Sequence, residues 1–212
     1  LWLKLGLDYE GVQEKFELVP SFDIDVAWAY KNRPLWRKLG AFKYGNVGQR
    51  LGVLLFGRKD PYDTYNKIVE ISAKVDRIIC FTPLSNYGPY DKNISHKNEN
   101  YRSLIRGLNA NGGLGLHPGY NAHLNKKVLQ EEKDRIEEVV GREMVKSRFH
   151  FLRLDVPVSY PMMIDLGFKK DYSMGYASAI GFRASIANPF YWYDIENEAI
   201  TDLKIHPFQL MD

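Results

Sequence analysis

Short apolar runs rich in β-branched residues, each followed by a stretch of helical period, recur along this chain and leave few architectures open to it. Residues 16–23 form an apolar run that ends in acid and predict a first strand. Asp60-Pro61-Tyr62-Asp63 predicts a helix opening, with Ile68, Val69, Ile71 and Val75 on its apolar stripe. Residues 77–82 read as a buried strand punctuated by Pro83. The unit then repeats in kind: helix 98–108, strand 113–117, helix 124–140 stopped by Gly141, strand 147–152, helix 156–166 closed by Gly167. Short strands at 171–176 and 203–208 complete the series. Strand and helix taking turns predict a parallel α/β sheet or barrel in a single domain, 1–212. Right-handed crossovers bring every strand's C-terminal end to one face, where such folds build their sites.

The polar residues fall where that face should be. Asp23, Asp25, His117, His150, Asp171 and His206 all lie at or just after expected strand ends. Ser21-Phe22-Asp23-Ile24-Asp25 puts two carboxylates two positions apart, and residues so spaced on an extended chain share a face. Close carboxylates repel, so one is protonated unless a cation sits beside them, and a divalent metal can take one acid and leave the other as a base. His117 follows the apolar strand directly, and neutral imidazole is the commonest side-chain metal ligand. Arg148 and His150, two apart on the next strand, suit either anion neutralisation with metal ligation or a strand with one wet face. His206 ends the last strand, and a His titrating near neutrality is the usual general acid or base. Arg183 suits orienting a base or binding a substrate oxygen, or covering apolar surface with its stem. His96 falls in a polar loop and His123 at a helix start, so both are expected to face solvent.

Composition narrows the class of partner. A net charge of +3, from 29 basic and 26 acidic residues, is too balanced for a nucleic-acid binder, which needs a clustered basic face. Lys126 and Lys127 are followed at once by Glu131, Glu132, Asp134, Glu137 and Glu138, expected to be a solvated helix face. Aromatic residues reach 14%, with 14 Tyr and 4 Trp, a surplus that suits core bulk or a sugar cleft. The lone Cys80 lies in an apolar run, forms no internal disulfide and reads as a buried strand thiol. No run of eighteen apolar residues is present to span a membrane. The start, Leu1-Trp2-Leu3-Lys4, has neither a basic leader nor an initiator Met, so the chain is expected to be a piece of a longer protein.

The order of these motifs (acid pair, His, Arg, Asp, late His) resembles the NodB-homology polysaccharide deacetylases of carbohydrate esterase family 4, in a divergent branch. The resemblance runs from about Phe16 to the end and is specific in order and spacing, partial in letters. It implies a distorted (β/α) barrel. It also implies Asp23 as catalytic base, Asp25 and His117 as metal ligands, Arg148 as the Arg motif, Asp171 tuning His206, and His206 as the acid that protonates the leaving group. Ile24 separates acids that many members keep adjacent. The second His of the usual ligand pair falls on Asn121, which suits Zn²⁺ poorly, so His150 is the expected third ligand. Tyr120, Tyr176 and Arg183 are candidates for contacting substrate.

What the resemblance implies is metal-assisted hydrolysis of an acetyl group on an amino sugar or polysaccharide, with Zn²⁺ as the metal. A bacterial cell-envelope or cytoplasmic setting goes with it. Two other readings stay open at this point: a metal-independent hydrolase of non-peptide C–N bonds in small amides, and a barrel that binds glycan without cutting it.

Overall fold

The computed structural model describes residues 17–34, 47–110 and 113–211. Its elements in order are β1 (Ser21–Asp23), α1 (Val47–Leu55), α2 (Tyr65–Ser72), β2 (Ile79–Thr82), α3 (Glu99–Ala110), β3 (Leu114–Leu116), α4 (Lys126–Val140), β4 (Lys146–Ser147), α5 (Val156–Asp165), β5 (Lys170–Asp171), β6 (Phe190–Asp194) and β7 (Ala199–Ile205). The strands form one sheet in the order β1-β2-β3-β4-β5-β7-β6. All neighbours are parallel except β6, which runs antiparallel to β7 at the edge. Among the described residues the sheet does not close, so the fold is an open, distorted α/β barrel, the class expected from the alternation.

Burial on both faces explains why the strands are so apolar. On the helix side Cys80, Leu114, Leu116, Leu203 and Ile205 pack with Tyr101, Ile105, Leu129, Ile136, Tyr160 and Met163. On the other side Ile79 and Phe81 pack with Tyr172. Gly115 stands beside Phe81, and a Cβ there would lie 2.4 Å from its ring, so the register of β2 on β3 depends on glycine. The next positions along this row carry Lys146, Lys170 and Lys204, in register on β4, β5 and β7. Cys80 is buried, and burial pushes its thiol up to about 12, as expected for an inert strand thiol.

Helix ends follow local chemistry. Asn98 accepts from Tyr101 N at the start of α3, and Asn125 from Val128 N at the start of α4. Gly141 ends α4 at φ 70°, a left-handed conformation that glycine adopts without strain.

Several expectations are corrected. The strand expected at 16–23 is Ser21–Asp23, and Phe16 lies outside the described residues. Strand 147–152 ends at Ser147, because the chain then turns into a single 3-10 turn, His150–Leu152, with Phe151 at φ 56° and Leu152 at φ 51°. Strand 171–176 ends at Asp171, whose side chain turns back to bond Ser173. The last strand begins earlier than expected, at Ala199, because β6 pairs with it. Glu132 is 2% exposed and not on a solvated face, since the Gly119 N–H donates to it.

Asp60 does not open a helix. It is 1% exposed, and its carboxylate accepts from the backbone N–H groups of Ala29 (2.8 Å), Tyr30 (2.9 Å), Lys31 (3.0 Å) and Tyr62 (3.1 Å). Burial opposes its ionisation, but these donors outweigh it and hold the carboxyl below the usual range. This fixes the segment after β1 against α2, where Tyr65 donates to Ala27 O at 2.7 Å. Asp60→Ala should therefore cost about 3 kcal/mol in urea unfolding, since buried amide donors lose their acceptor, while Asp60→Asn should cost less.

Candidate metal centre and its surroundings

Two loops and the end of a third converge beyond the strand ends. Asp25 lies two residues past β1, His117 directly after β3, and His150 three residues past β4. One ligand atom from each lies within 4.8 Å of the others. His117 Nε2 is 3.1 Å from Asp25 Oδ1, and His150 Nε2 is 3.7 Å from Asp25 Oδ2.

Hydrogen bonds on the far side of each ring fix the tautomers. His117 Nδ1 meets the Arg148 carbonyl at 2.5 Å, and a carbonyl only accepts, so this nitrogen carries the proton. His150 Nδ1 likewise donates to Asp91 Oδ1 at 2.9 Å. In the neutral rings both Nε2 lone pairs then face the same carboxylate. Burial works against Asp25 ionising, yet the His117 and His150 contacts outweigh it and hold the carboxyl far below its usual range. Burial disfavours a charged His150, but Asp25 and Asp91 raise it to about 9. One carboxylate with two imidazoles is the donor set of a catalytic zinc site with an open position, so these residues fit a divalent cation.

Asp23 sits beside this cluster. Its side chain is 11% exposed and accepts from Arg148 Nη1 at 3.0 Å. The same guanidinium donates from Nη2 to Ser21 Oγ at 2.8 Å and from Nε to Tyr172 O at 3.0 Å. Its Cζ lies 4.5 Å from the Phe81 ring centroid and 4.9 Å from that of Phe208. Asp23 and Asp25 open into one cavity of about 600 Å³, walled also by Ile68, Arg148, Phe208 and Leu210. The two acids thus share a cavity, as their spacing predicts.

The other expected site residues are placed as follows. Asp171 is fully buried and accepts from Ser173 N (3.0 Å), Ser173 Oγ (2.7 Å) and Tyr160 Oη (3.1 Å). Burial pushes it up to about 6. It meets His206 through the backbone, where His206 N donates to Asp171 O at 2.8 Å. The His206 ring stacks on Tyr172 at 4.5 Å and 14°, and its Nε2 is buried without a hydrogen-bond partner among the described residues. Asn121 is exposed at the head of the turn Ala122–Leu124. Tyr120 stacks on Tyr90 at 3.9 Å, under the Arg153 guanidinium at 3.8 Å. Arg183 lines a second cavity of about 610 Å³ with Phe151, Arg153 and Asp155, and Tyr176 is 44% exposed. His123, expected to face solvent, is 8% exposed because its ring packs between Tyr120 O and Arg153. His96 lies in a loop, as expected, but is half-buried and not fully solvent-facing.

Three residues near the centre had no sequence signal: Asp91, Glu132 and Phe151. Asp91 lies in an irregular polar loop, Glu132 within an acidic helix run, and Phe151 inside an apparent strand. Burial pushes Glu132 up to about 7, with Asp91 adding to it against the Gly119 hydrogen bond. Phe151 is 57% exposed and stacks on His150 at 4.2 Å.

No family model matches the chain, and no curated protein sequence does. Among solved structures it is similar to a candidate polysaccharide deacetylase from Mycobacterium smegmatis, at 15% identity and TM-score 0.49, covering 88% of this chain and 56% of that one. It is also similar to a candidate polysaccharide deacetylase involved in O-antigen biosynthesis from Bordetella bronchiseptica, at 16% identity and TM-score 0.40, covering 88% and 55%. The chain thus spans little more than half the length of either protein.

Burial, reinforced by Lys170, Lys204, Arg77 and Lys146, lowers His206 from 6.5 to about 4. A lowered value means that the fold favours the neutral ring. The stability this contributes is present above pH 6.5 and is lost as pH falls through 4. In ¹H–¹⁵N spectra His206 should titrate near 4, and a midpoint at or above 6.5 would show that the ring is not held in this environment.

Proposed function

We propose that this protein is a hydrolase that removes acetyl groups from a carbohydrate, with an N-acetylated amino sugar as the substrate class. The observation that carries the reading is the pair of imidazoles whose Nδ1 protons are tied back, leaving both Nε2 atoms aimed at Asp25. Asp25, His117 and His150 would hold a divalent cation, and Zn²⁺ fits them best. When bound, such an ion supplies Lewis acidity to water and to the acetyl carbonyl.

The chain's own residues do the rest. Asp23 takes a proton from the attacking water, and the Arg148 hydrogen bond at 3.0 Å holds that side chain at the cavity wall. Water oxygen bonds to the acetyl carbon, the C–N bond breaks, and acetate leaves a free amine. That amine needs a proton. The family resemblance assigns the donor role to His206, but a ring held neutral at pH 7 by burial and surrounding cations is a poor acid. We therefore assign the proton's return to Asp23, and leave His206 as a buried neutral ring stacked on Tyr172. Tyr90, Tyr120 and exposed Phe151 form an aromatic rim suited to a sugar ring, and Arg183 lines the cavity beside Phe151.

Purified protein offered Zn²⁺ should carry about one equivalent, lost in His150→Ala. Asp23→Asn should keep the metal and lose deacetylation of N-acetyl sugars by roughly 10²–10⁴-fold. A wild type that binds no metal would sink the metal centre and favour cleavage of small cyclic amides without metal. Metal binding with no turnover of any acetylated sugar would favour a barrel that only binds glycan.

A further inference from the structure

We propose that Asp91 is the positioning residue that makes His150 a metal ligand. The inference rests on the metal centre proposed above. Asp91 comes from the loop between β2 and α3 and is remote in sequence from every other residue of the cluster. That loop is braced by its own bonds: Gly88 N donates to Asp91 O at 2.9 Å, and Ser85 Oγ to Asn93 Oδ1 at 2.8 Å.

The Asp91 side chain is 12% exposed and works in two directions. Oδ1 accepts the His150 Nδ1 proton at 2.9 Å, and Oδ1 and Oδ2 share the Tyr120 backbone N–H at 3.1 and 3.2 Å. It therefore joins the loops after β2, β3 and β4 at one point. Gly119 permits this approach, because a Cβ there would lie 2.6 Å from Ser85 Cβ and 3.1 Å from Asp91 Oδ2.

His150 needs such a partner more than His117 does. It sits on a turn rather than a strand, next to two consecutive left-handed residues, Phe151 and Leu152. Backbone there costs free energy unless surrounding contacts hold it. With Nδ1–H bound to Asp91, the ring cannot present that nitrogen to the cavity, and Nε2 faces Asp25. A carboxylate behind the ring also makes Nε2 a better donor to a cation.

The test is Zn²⁺ affinity by chelator competition in wild type, Asp91→Asn and Asp91→Ala, together with the ¹H signal of the His150 Nδ1 proton in the Zn²⁺-loaded proteins. Removing an outer carboxylate of this kind weakens metal binding by about 10–100-fold, which is the expectation for Asp91→Ala. Asp91→Asn keeps an acceptor and should fall between, and the downfield Nδ1 proton should persist there and vanish in Asp91→Ala. Both variants must give the wild-type circular dichroism spectrum, so that affinity is read on folded protein. Unchanged affinity in folded Asp91→Ala, or an undisturbed Nδ1 proton, overturns the assignment while leaving the metal centre standing. Absence of Zn²⁺ binding by wild type overturns both.

Discussion

The buried guanidinium of Arg148 is the interaction on which the working end of the barrel depends. A charge 5% exposed is tolerable only when its donors are paired, and here they reach Asp23, Ser21 and Tyr172. Its faces lie against Phe81 and Phe208, so strands β1, β2, β4 and the segment after β7 all bear on one side chain. Its backbone takes part as well. Arg148 N donates to Leu116 O, and its carbonyl receives the His117 proton. One residue thereby sets Asp23 and His117 in the same frame. Lysine could not replace it, because a single ammonium cannot present a planar fork in three fixed directions.

The sheet supplies position while the loops supply chemistry. Strands β4 and β5 each have two residues in ladder, yet they are enough to deliver Ser147 and Asp171 in register with Leu116 and Ile205. Beyond those pairs the backbone is irregular, and irregular backbone needs side-chain acceptors. Asp60, Asp91 and Glu132 fill that need, and each is a buried or nearly buried acid bonded to main-chain N–H groups. Aspartate and glutamate in this fold are thus partly building material.

Much of the architecture was legible because it rests on period. Buried strands 79–82 and 114–116 and helices 99–110 and 126–140 follow from apolar spacing and from Asn and Gly at their ends. Asp23, Asp25, His117 and His150 were visible as polar residues at strand termini, and the structure gathers Asp25, His117 and His150 into one cluster with Asp23 in the same cavity. What stayed hidden depends on contacts between distant segments. Nothing near Asp91 says that it will meet a residue 59 positions away, and Glu132 differs from exposed Glu131 only by which side of α4 faces Gly119. The run around His150 has strand-like letters, and the left-handed turn that overrides them is imposed by tertiary structure. His206 was placed correctly along the chain, but its protonation state depends on burial, reinforced by a row of lysines contributed by three strands.

Among the described residues, strand β1 lies at one margin of the sheet and is held through three backbone pairs to β2. Asp25 lies two residues beyond it, whereas His117 and His150 follow the central strands β3 and β4. An ion gripped by all three would act as a clasp between the loosest part of the barrel and its firmest. By mass action, a ligand at a hundred times its dissociation constant adds about 2.7 kcal/mol to the folded state. That gain would fall first on the edge, so amide protons of β1 should exchange more slowly in loaded protein, and the supply of metal in its surroundings would help decide how often this margin of the sheet comes undone.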